Sequence, residues 1–336
     1  MRTVVIGLLS LLGIAAPNGS PSALAATPGE PLPRTGDEIV VCGQLFHTTA
    51  PVVTWMDPGG YDAYRVERRF APYEESDWRA SETAAKLDSP NRYGLRKEKL
   101  TPEQIEKVRG GGWSLDELQD VVDQFVMHYD VCGVSRQCFK ILHDHRCLSV
   151  HFMLDVDGTI YQTLDLKERA WHATTSNGRS IGIEIAQIGA YTAKSRGTLD
   201  QWYTKDAEGL MRLTFPQWLQ TGLRTENFVG HPARPEIVVG EIQNTLLYQY
   251  DFTPQQYDSL TKLTATLCRV FPKLTCEYPS DEAGQVIPHV LPEAQLRDYQ
   301  GLLGHYHIQE NKTDPGPAFD WPRVADGAKK LMADAE

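Results

Sequence analysis

The 336-residue sequence predicts an α/β (α+β) fold, in which short strands alternate with helices along the chain. Apolar runs of strand length support this class, notably QFVMHYD at 124–130 and SIGIEIA at 180–186. Helix-start signals precede three other segments, where Thr or Ser is followed three positions later by Gln or Glu. Hydrophobic residues make up 41% of the chain and charged residues 23%, the balance of a globular protein with a sizeable core.

The first 25 residues have the pattern of a cleaved signal peptide. Arg2 supplies the positive start, an apolar core (VVIGLLSLLGIAA) follows, and Ala23-Leu24-Ala25 forms an A-x-A cleavage site. The alternative is an uncleaved membrane anchor, although the apolar core is short for a bilayer span. No later run is long enough to cross a membrane, and no cysteine closely follows the apolar core as in lipoproteins. We therefore expect a secreted or periplasmic protein with no membrane anchor after cleavage.

The excess of acidic over basic residues limits the classes of molecule that the protein is expected to bind. The sequence has 33 Lys and Arg against 44 Asp and Glu, and cleavage would lower the net charge from −11 to −12 by removing Arg2. A protein of this charge repels DNA and anionic lipid headgroups. We expect no nucleic-acid partner, and the sequence does not indicate an oligomeric state.

Six cysteines in an exported chain allow disulfide bonds. Cys132 and Cys138 flank five residues, and Cys268 and Cys276 flank seven, so either pair could close a local loop. The remaining cysteines are Cys42 and Cys147. None of the six lies in a Cys-x-x-Cys pattern, which favours a structural role over a zinc or redox site.

Residues 26–112 form an N-terminal extension that begins with a linker rich in Pro, Gly and Thr. Two apolar runs predict short strands, VVCGQLF at 40–46 and APVVTWMD at 50–57. A helix is predicted from Thr101 to the glycines at 110–112, which mark a boundary. Strands this short are marginal alone, so we expect the extension to pack on the domain that follows.

The rest of the chain continues this alternation. The predicted elements are a helix capped by Ser114, the strand 124–130, a short helix at 135–145 capped by Ser135, a hairpin at 149–164 about Asp157-Gly158, and a long helix from Thr253. Leucines and a valine at helical spacing make the last helix a core element. Residues 188–250 are polar and aromatic, without a repeat.

Glu184 is unusual within its predicted strand. Ile181, Ile183 and Ile185 share one face, and Glu184 lies on the other. A carboxylate in so apolar a strand is costly unless it is paired or lines a cleft. The alternative is an outward-facing Glu on a half-solvated strand.

The ten histidines include no HExxH motif, which excludes the helix-borne zinc arrangement of that class. His143 and His145 lie two positions apart in a predicted helical end, where side chains diverge, and we expect them at the surface.

His128 is placed differently, because it closes an apolar strand. A later segment, GHYHIQENKTDPGPAFDW, adds His305, His307 and Asp314. Two histidines and a carboxylate would leave one position open on a hydrolytic zinc ion. The alternative makes the two later histidines loop residues and Asp314 a turn residue before proline.

With these pieces in place, the chain resembles zinc-dependent N-acetylmuramoyl-L-alanine amidases of the phage-type and peptidoglycan-recognition-protein superfamily. The matching stretches are FVMHYD, SVHFMLDVDGTIYQ, RAWHA, RSIGIEIA and GHYHIQENKTDPGPAFDW, in the family's order. The resemblance covers roughly residues 113–325, with an insertion at about 188–250 and a C-terminal tail at 326–336. It implies a mixed central sheet flanked by helices, and it also implies a disulfide between Cys132 and Cys138.

The resemblance also implies roles for individual residues. His128, His305 and Asp314 would be the zinc ligands, Glu184 the general base and Lys312 the group that stabilises the oxyanion. Trp171 and His172 would line the substrate groove. The turn between His305 and Lys312 is slightly shorter than in many family members, which leaves His307 as an alternative ligand to His305.

The resemblance implies hydrolysis of the amide between N-acetylmuramic acid and L-alanine, in peptidoglycan or muropeptides. One alternative is a non-catalytic peptidoglycan-binding protein, although such members commonly lack the complete residue set. Another is a zinc amidohydrolase that acts on a different amide. Three roles are open for the regions 26–112 and 188–250. They would form sides of the substrate groove, bind cell-wall polymer, or enlarge the fold without a functional role.

Overall fold

The computed structural model describes residues 27–79 and 92–334. The signal peptide expected at 1–25 lies outside the described residues. The chain from Thr35 onward forms one compact unit, and residues 27–34 belong to a separate N-terminal unit. Within the described ranges, no helix combines the length and apolarity needed to cross a bilayer.

The strands of the compact unit are short. In chain order they are β1 (Glu38–Val41), β2 (Gln44–His47), β3 (Val52–Thr54), β4 (Tyr93–Leu95), β5 (Gln124–Tyr129), β6 (Phe152–Leu154), β7 (Ile160–Gln162), β8 (Glu168–Ala170), β9 (Ser180–Ile185), β10 (Tyr203–Lys205), β11 (Met211–Leu213), β12 (Val238–Ile242), β13 (Thr245–Gln249) and β14 (Gly301–Gly304).

The α-helices are α1 (Pro102–Gly111), α2 (Leu115–Val121), α3 (Ser135–Phe139), α4 (Pro254–Val270), α5 (Glu293–Asp298) and α6 (Trp321–Ala333). The first two and α4 each begin with the predicted capping box, in which the cap hydroxyl accepts a backbone hydrogen bond and a Gln or Glu side chain returns one. These three sequence predictions are confirmed.

A six-stranded mixed sheet forms the centre of the unit, in the order β14-β5-β9-β6-β7-β3. All neighbouring strands are parallel except β6 and β7, which form the hairpin predicted about Asp157-Gly158. Every residue of β5 is buried, and helices α4 and α6 pack over the core. The predicted mixed sheet flanked by helices is confirmed.

The N-terminal extension contributes directly to this sheet, because β3 pairs in parallel with β7 at its edge. The run VVCGQLF, predicted as one strand, is instead a hairpin: β1 and β2 pair antiparallel on either side of Cys42-Gly43. Both of these turn residues have positive φ, which reverses the chain within two residues.

The region 188–250 contains two further antiparallel hairpins, β10–β11 and β12–β13. Their strands mix exposed, partly buried and buried residues, which explains why no continuous apolar run marks them in the sequence.

Helix α6 crosses the boundary expected at residue 325, so most of the expected tail at 326–336 continues a helix. Asp320 accepts a hydrogen bond from the backbone N–H of Arg323, and Pro322 occupies the first turn. Val324, Ala325 and Ala328 are buried in the core, which holds the helix in place.

The segment predicted as a helix at 135–145 is helical throughout, but its start and surroundings differ from expectation. Val134 precedes the first helical residue, and Ser135 is inside the helix rather than its cap. After α3, residues Lys140–His145 continue as a wider π-helical segment. His143 was expected at the surface but is buried: Nδ1 lies 2.8 Å from Asp144, and Nε2 donates to the carbonyl of Arg65.

One of the two expected cysteine pairs is bonded. Cys268 and Cys276 form a disulfide between the end of α4 and the loop that follows it. Cys132 and Cys138 are not bonded in the structure; both are buried thiols, with Sγ atoms within 4.8 Å of each other. Cys42 and Cys147 are also free.

Candidate active site

The ends of neighbouring parallel strands bring the predicted site residues together. His128 lies near the end of β5, and His305 directly follows β14, the parallel strand beside it. A Cβ at Gly304 would lie 2.8 Å from Cδ of Pro315, so glycine is required for the segment carrying Asp314 to fold back against the strand end.

Three acceptor atoms converge at this position. Nδ1 of His128 lies 2.8 Å from Oδ2 of Asp314, and Nδ1 of His305 lies 3.0 Å from the same oxygen. The two Nδ1 atoms are 3.0 Å apart. Three ligands of one tetrahedral zinc ion, with bonds of about 2.0–2.1 Å, lie about 3.3 Å apart, close to the observed spacing.

The remaining ring nitrogens indicate where the imidazole hydrogens lie. Nε2 of His305 donates to Oε1 of Gln309 at 2.6 Å, because an amide oxygen can only accept. Nε2 of His128 lies 3.1 Å from Nδ1 of His172, a contact that is satisfied when His128 carries its hydrogen on Nε2. Both Nδ1 lone pairs then face the Asp314 carboxylate with no hydrogen between them. Such an arrangement of acceptors fits a bound cation.

The electrostatics of these side chains agree with a metal-ligand set. Burial, followed by the charge of His305, lowers the pKa of His128 to about 4, so its imidazole is neutral at pH 7. Burial opposes ionisation of the Asp314 carboxyl, but the charge of a protonated His305 and hydrogen bonds donated by either ring lower its pKa. Neutral imidazoles and an ionised carboxylate are the forms that bind zinc.

His307 is occupied elsewhere. Its Nδ1 accepts a hydrogen bond from the backbone N–H of Gly304 at 2.9 Å, and its Nε2 donates to the carbonyl of Ile287 at 2.8 Å. Both nitrogens are therefore bound to backbone, and the side chain is buried. Of the two candidate ligands in this segment, only His305 faces His128 and Asp314.

Glu184 pairs with His128 across β9 and β5, and both side chains line the same cleft. Burial, reinforced by the charges of Asp314 and Asp130, raises the pKa of the Glu184 carboxyl well above its usual value. The positive charges of Arg146 and Lys312 act in the opposite direction. The carboxyl therefore has a high proton affinity, as a general base requires.

All the predicted site residues line one cleft of about 180 Å³: His128, Trp171, His172, Glu184, His305, Lys312 and Asp314. The side chain of Lys312 is half-buried at its wall. Arg146, which the sequence did not single out, is a second cation there. The cleft thus holds two cations beside the carboxylates of Asp130, Glu184 and Asp314.

A buried arginine supports the segment that carries Trp171 and His172. Arg96 is fully buried and donates to the carbonyls of Leu166, Asn177, Gly178 and Ser180 at 3.0–3.3 Å. The imidazole of His172 lies across Gly182, where a Cβ would lie 2.5 Å from its ring. A side chain at position 182 would therefore displace His172.

The sequence did not reveal Gln309 or Arg96. A glutamine four residues after a ligand histidine in a turn is a weak signal for a hydrogen-bond partner. Arg96 contacts segments 70 to 84 positions away, and no local pattern predicts such contacts.

The comparisons with known proteins agree with this arrangement. A family model described as N-acetylmuramoyl-L-alanine amidase matches residues 118–317. Two curated relatives, from Salmonella typhimurium strains SL1344 and LT2, are 1,6-anhydro-N-acetylmuramyl-L-alanine amidases AmpD. Each is 26% identical over 188 residues, 53% of this chain and 56% of the relative. The chain thus spans only about half the length of these relatives.

The comparison with solved structures matches amidase AmiD from E. coli, in complex with anhydro-N-acetylmuramic acid-L-Ala-D-gamma-Glu-L-Lys. It has 18% identity and a TM-score of 0.34, covering 61% of this chain and 57% of the other. The endolysin LysCS from Clostridium intestinale has 16% identity and a TM-score of 0.31, covering 64% and 86% of the two chains.

Proposed function

The chain belongs to the N-acetylmuramoyl-L-alanine amidase family, and from this premise we propose that it hydrolyses the amide bond between N-acetylmuramic acid and L-alanine. The substrate class is peptidoglycan or the muropeptides derived from it. The observation that carries the proposal is the convergence of His128, His305 and Asp314 beside Glu184 in one cleft.

We propose that these three side chains hold a zinc ion through Nδ1, Nδ1 and Oδ2. When bound, zinc polarises the scissile carbonyl and lowers the pKa of the attacking water to about 7. Three protein ligands suit a catalytic site, because they leave a coordination position open.

Glu184 would take the proton of the attacking water and deliver it to the amine of L-alanine as the amide bond breaks. Glu184 lies beside His128 on the neighbouring strand, next to the three proposed ligands. The raised pKa of the Glu184 carboxyl would help it to hold the proton between the two transfers. The strand fixes this position without help from substrate.

Lys312 would stabilise the negative charge that develops on the carbonyl oxygen. It lies two positions before the proposed ligand Asp314, and its side chain lines the same cleft. Removing a group of this kind typically lowers the rate by about a hundredfold or more. Trp171 and His172 would line the groove, and Arg146 adds a cation suited to an acidic stem peptide.

We further propose that the protein acts in the periplasm or outside the cell. The first 25 residues carry the signal-peptide pattern, and disulfides such as Cys268–Cys276 persist in oxidising compartments.

The test is mass spectrometry of a defined muropeptide after incubation with the protein, with and without chelator. We expect a free stem peptide that begins at L-alanine, lost on chelation and restored by zinc. An intact muropeptide that remains bound to the zinc-loaded protein would replace this proposal with a binding function. Cleavage at another amide would change the substrate.

A further inference from the structure

A second cleft, of about 550 Å³, lies apart from the ligand set and contains a concentration of positive charge. Its lining includes Tyr61, Arg69, Phe70, Arg136, Tyr161 and Arg224, and no acidic residue of the described chain contributes to it. Three guanidinium groups therefore share one cleft in a protein whose net charge is −11.

The three arginines of the cleft come from three regions of the chain. Arg69 and Phe70 come from the N-terminal extension, outside the residues that match the family model. Arg136 lies on α3, and Arg224 comes from the region between β11 and β12. The extension and the 188–250 region thus meet the common fold at this cleft.

Buried carboxylates fix the segments that carry two of these arginines. Asp144 accepts hydrogen bonds from the backbone N–H groups of Arg69 and Phe70, at 2.8 and 2.9 Å. Asp157 accepts one from the backbone N–H of Thr225 at 2.9 Å, next to Arg224. The charged groups therefore project from anchored backbone rather than from free loops.

None of the three guanidinium groups forms an ion pair with a carboxylate of residues 27–79 or 92–334, although acidic residues outnumber basic ones. Two of them contact an aromatic ring instead: Arg136 lies 4.2 Å over the ring of Phe70, and Arg69 lies 5.4 Å from it. Like charges in one cleft repel each other, and an anionic ligand would relieve that repulsion.

The number of donors indicates the chemistry of the ligand. Each guanidinium offers five N–H donors in a planar fork. A single carboxylate is satisfied by one bidentate arginine, whereas a phosphate presents enough oxygens to bind several. We propose that this cleft binds a phosphate-bearing ligand, at a site separate from that of amide hydrolysis.

The proposal is tested by isothermal titration calorimetry of the full-length, zinc-loaded protein with three probes: inorganic phosphate, dimethyl phosphate and acetate. The cleft variant is Arg136→Gln/Arg224→Gln. The matched control, Lys205→Gln/Arg212→Gln, removes the same charge from exposed positions of β10 and β11 outside the cleft.

We expect phosphate to bind the wild type and the control alike, and to bind the cleft variant at least about tenfold more weakly, the effect of losing a charge-assisted hydrogen bond. Binding of dimethyl phosphate would identify a phosphodiester ligand, and its failure beside strong phosphate binding would identify a terminal phosphate.

Equal phosphate affinity in the wild type and the cleft variant would overturn the proposal, as would acetate binding as tight as phosphate. Because Arg136 packs on Phe70, the exposed single variant Arg224→Gln is a second test that leaves this contact intact. Muropeptide cleavage, measured in parallel, separates failure of this site from failure of the proposed function.

Discussion

His128 and Glu184 are directly paired positions on adjacent parallel strands, β5 and β9. Backbones paired in this way lie about 4.8 Å apart, and paired side chains project from the same face. The first proposed metal ligand and the candidate base are therefore both held by the sheet, whereas His305 and Asp314 come from the segment after its edge strand.

Replacing His128 with Ala is expected to abolish stoichiometric zinc binding, because it removes one of three converging acceptors. Metal content after gel filtration, measured by mass spectrometry, checks this outcome. A His128→Ala protein that keeps one equivalent of zinc and a wild-type circular dichroism spectrum would exclude this residue from the metal centre.

Replacing Glu184 with Gln is expected to leave zinc content unchanged and to lower turnover by a factor of about 10² or more. The amide retains the size of the carboxyl but cannot accept the proton. The check is the rate of stem-peptide release at saturating substrate, beside measured zinc content. Wild-type turnover would assign Glu184 a structural role.

Gln309 is expected to position His305 rather than to bind metal. Its side-chain oxygen accepts the Nε2–H of His305 at 2.6 Å and so directs Nδ1 towards the other ligands. Gln309→Ala should weaken zinc affinity by about 10- to 100-fold. Gln309→Glu retains the acceptor and serves as the matched control. If wild type and Gln309→Ala bound zinc with equal affinity in a chelator competition assay, Gln309 would not be a positioning residue for His305.

His307 is expected to affect stability against pH without binding zinc. Burial lowers its pKa from 6.5 to about 3. Between these values the unfolded chain takes up a proton that the folded chain does not, so the residue's contribution to the free energy of unfolding falls as the pH falls below 6.5. From pH 7 to pH 5 this loss is about 2 kcal/mol.

The variant His307→Gln does not titrate, so its unfolding free energy lacks this component. As the pH falls from 7 to 5, the unfolding free energy of the wild type should therefore fall by about 2 kcal/mol relative to that of the variant. Urea unfolding at both pH values, in chelator, measures it. A constant difference would show that His307 is not buried as a neutral imidazole.

Local signals predicted the local structure well. The capping boxes at Thr101, Ser114 and Thr253 and the Asp157-Gly158 hairpin need only neighbouring residues, and the structure contains each of them. The alternation that turned Glu184 away from the isoleucine face is also local, and this carboxyl lines the cleft.

Contacts between distant segments of the chain could not be predicted from local sequence patterns. The buried environment of His143 depends on the carbonyl of Arg65, 78 positions earlier, so its neighbours in sequence suggested a surface residue. The choice between His305 and His307 likewise rests on the backbone of Gly304 and Ile287. Spacing alone did not distinguish the two imidazoles.

The edge strand β14 also has a consequence for the order in which the protein folds. It pairs with β5 across 177 positions of sequence, and contacts between such distant segments form slowly. A chain interrupted before Gly301 would contain the other five strands of the sheet but lack both His305 and Asp314. Because metal binding is coupled to folding, zinc would stabilise only those chains in which the C-terminal segment has docked. Metal uptake would therefore be a late folding event that selects complete molecules.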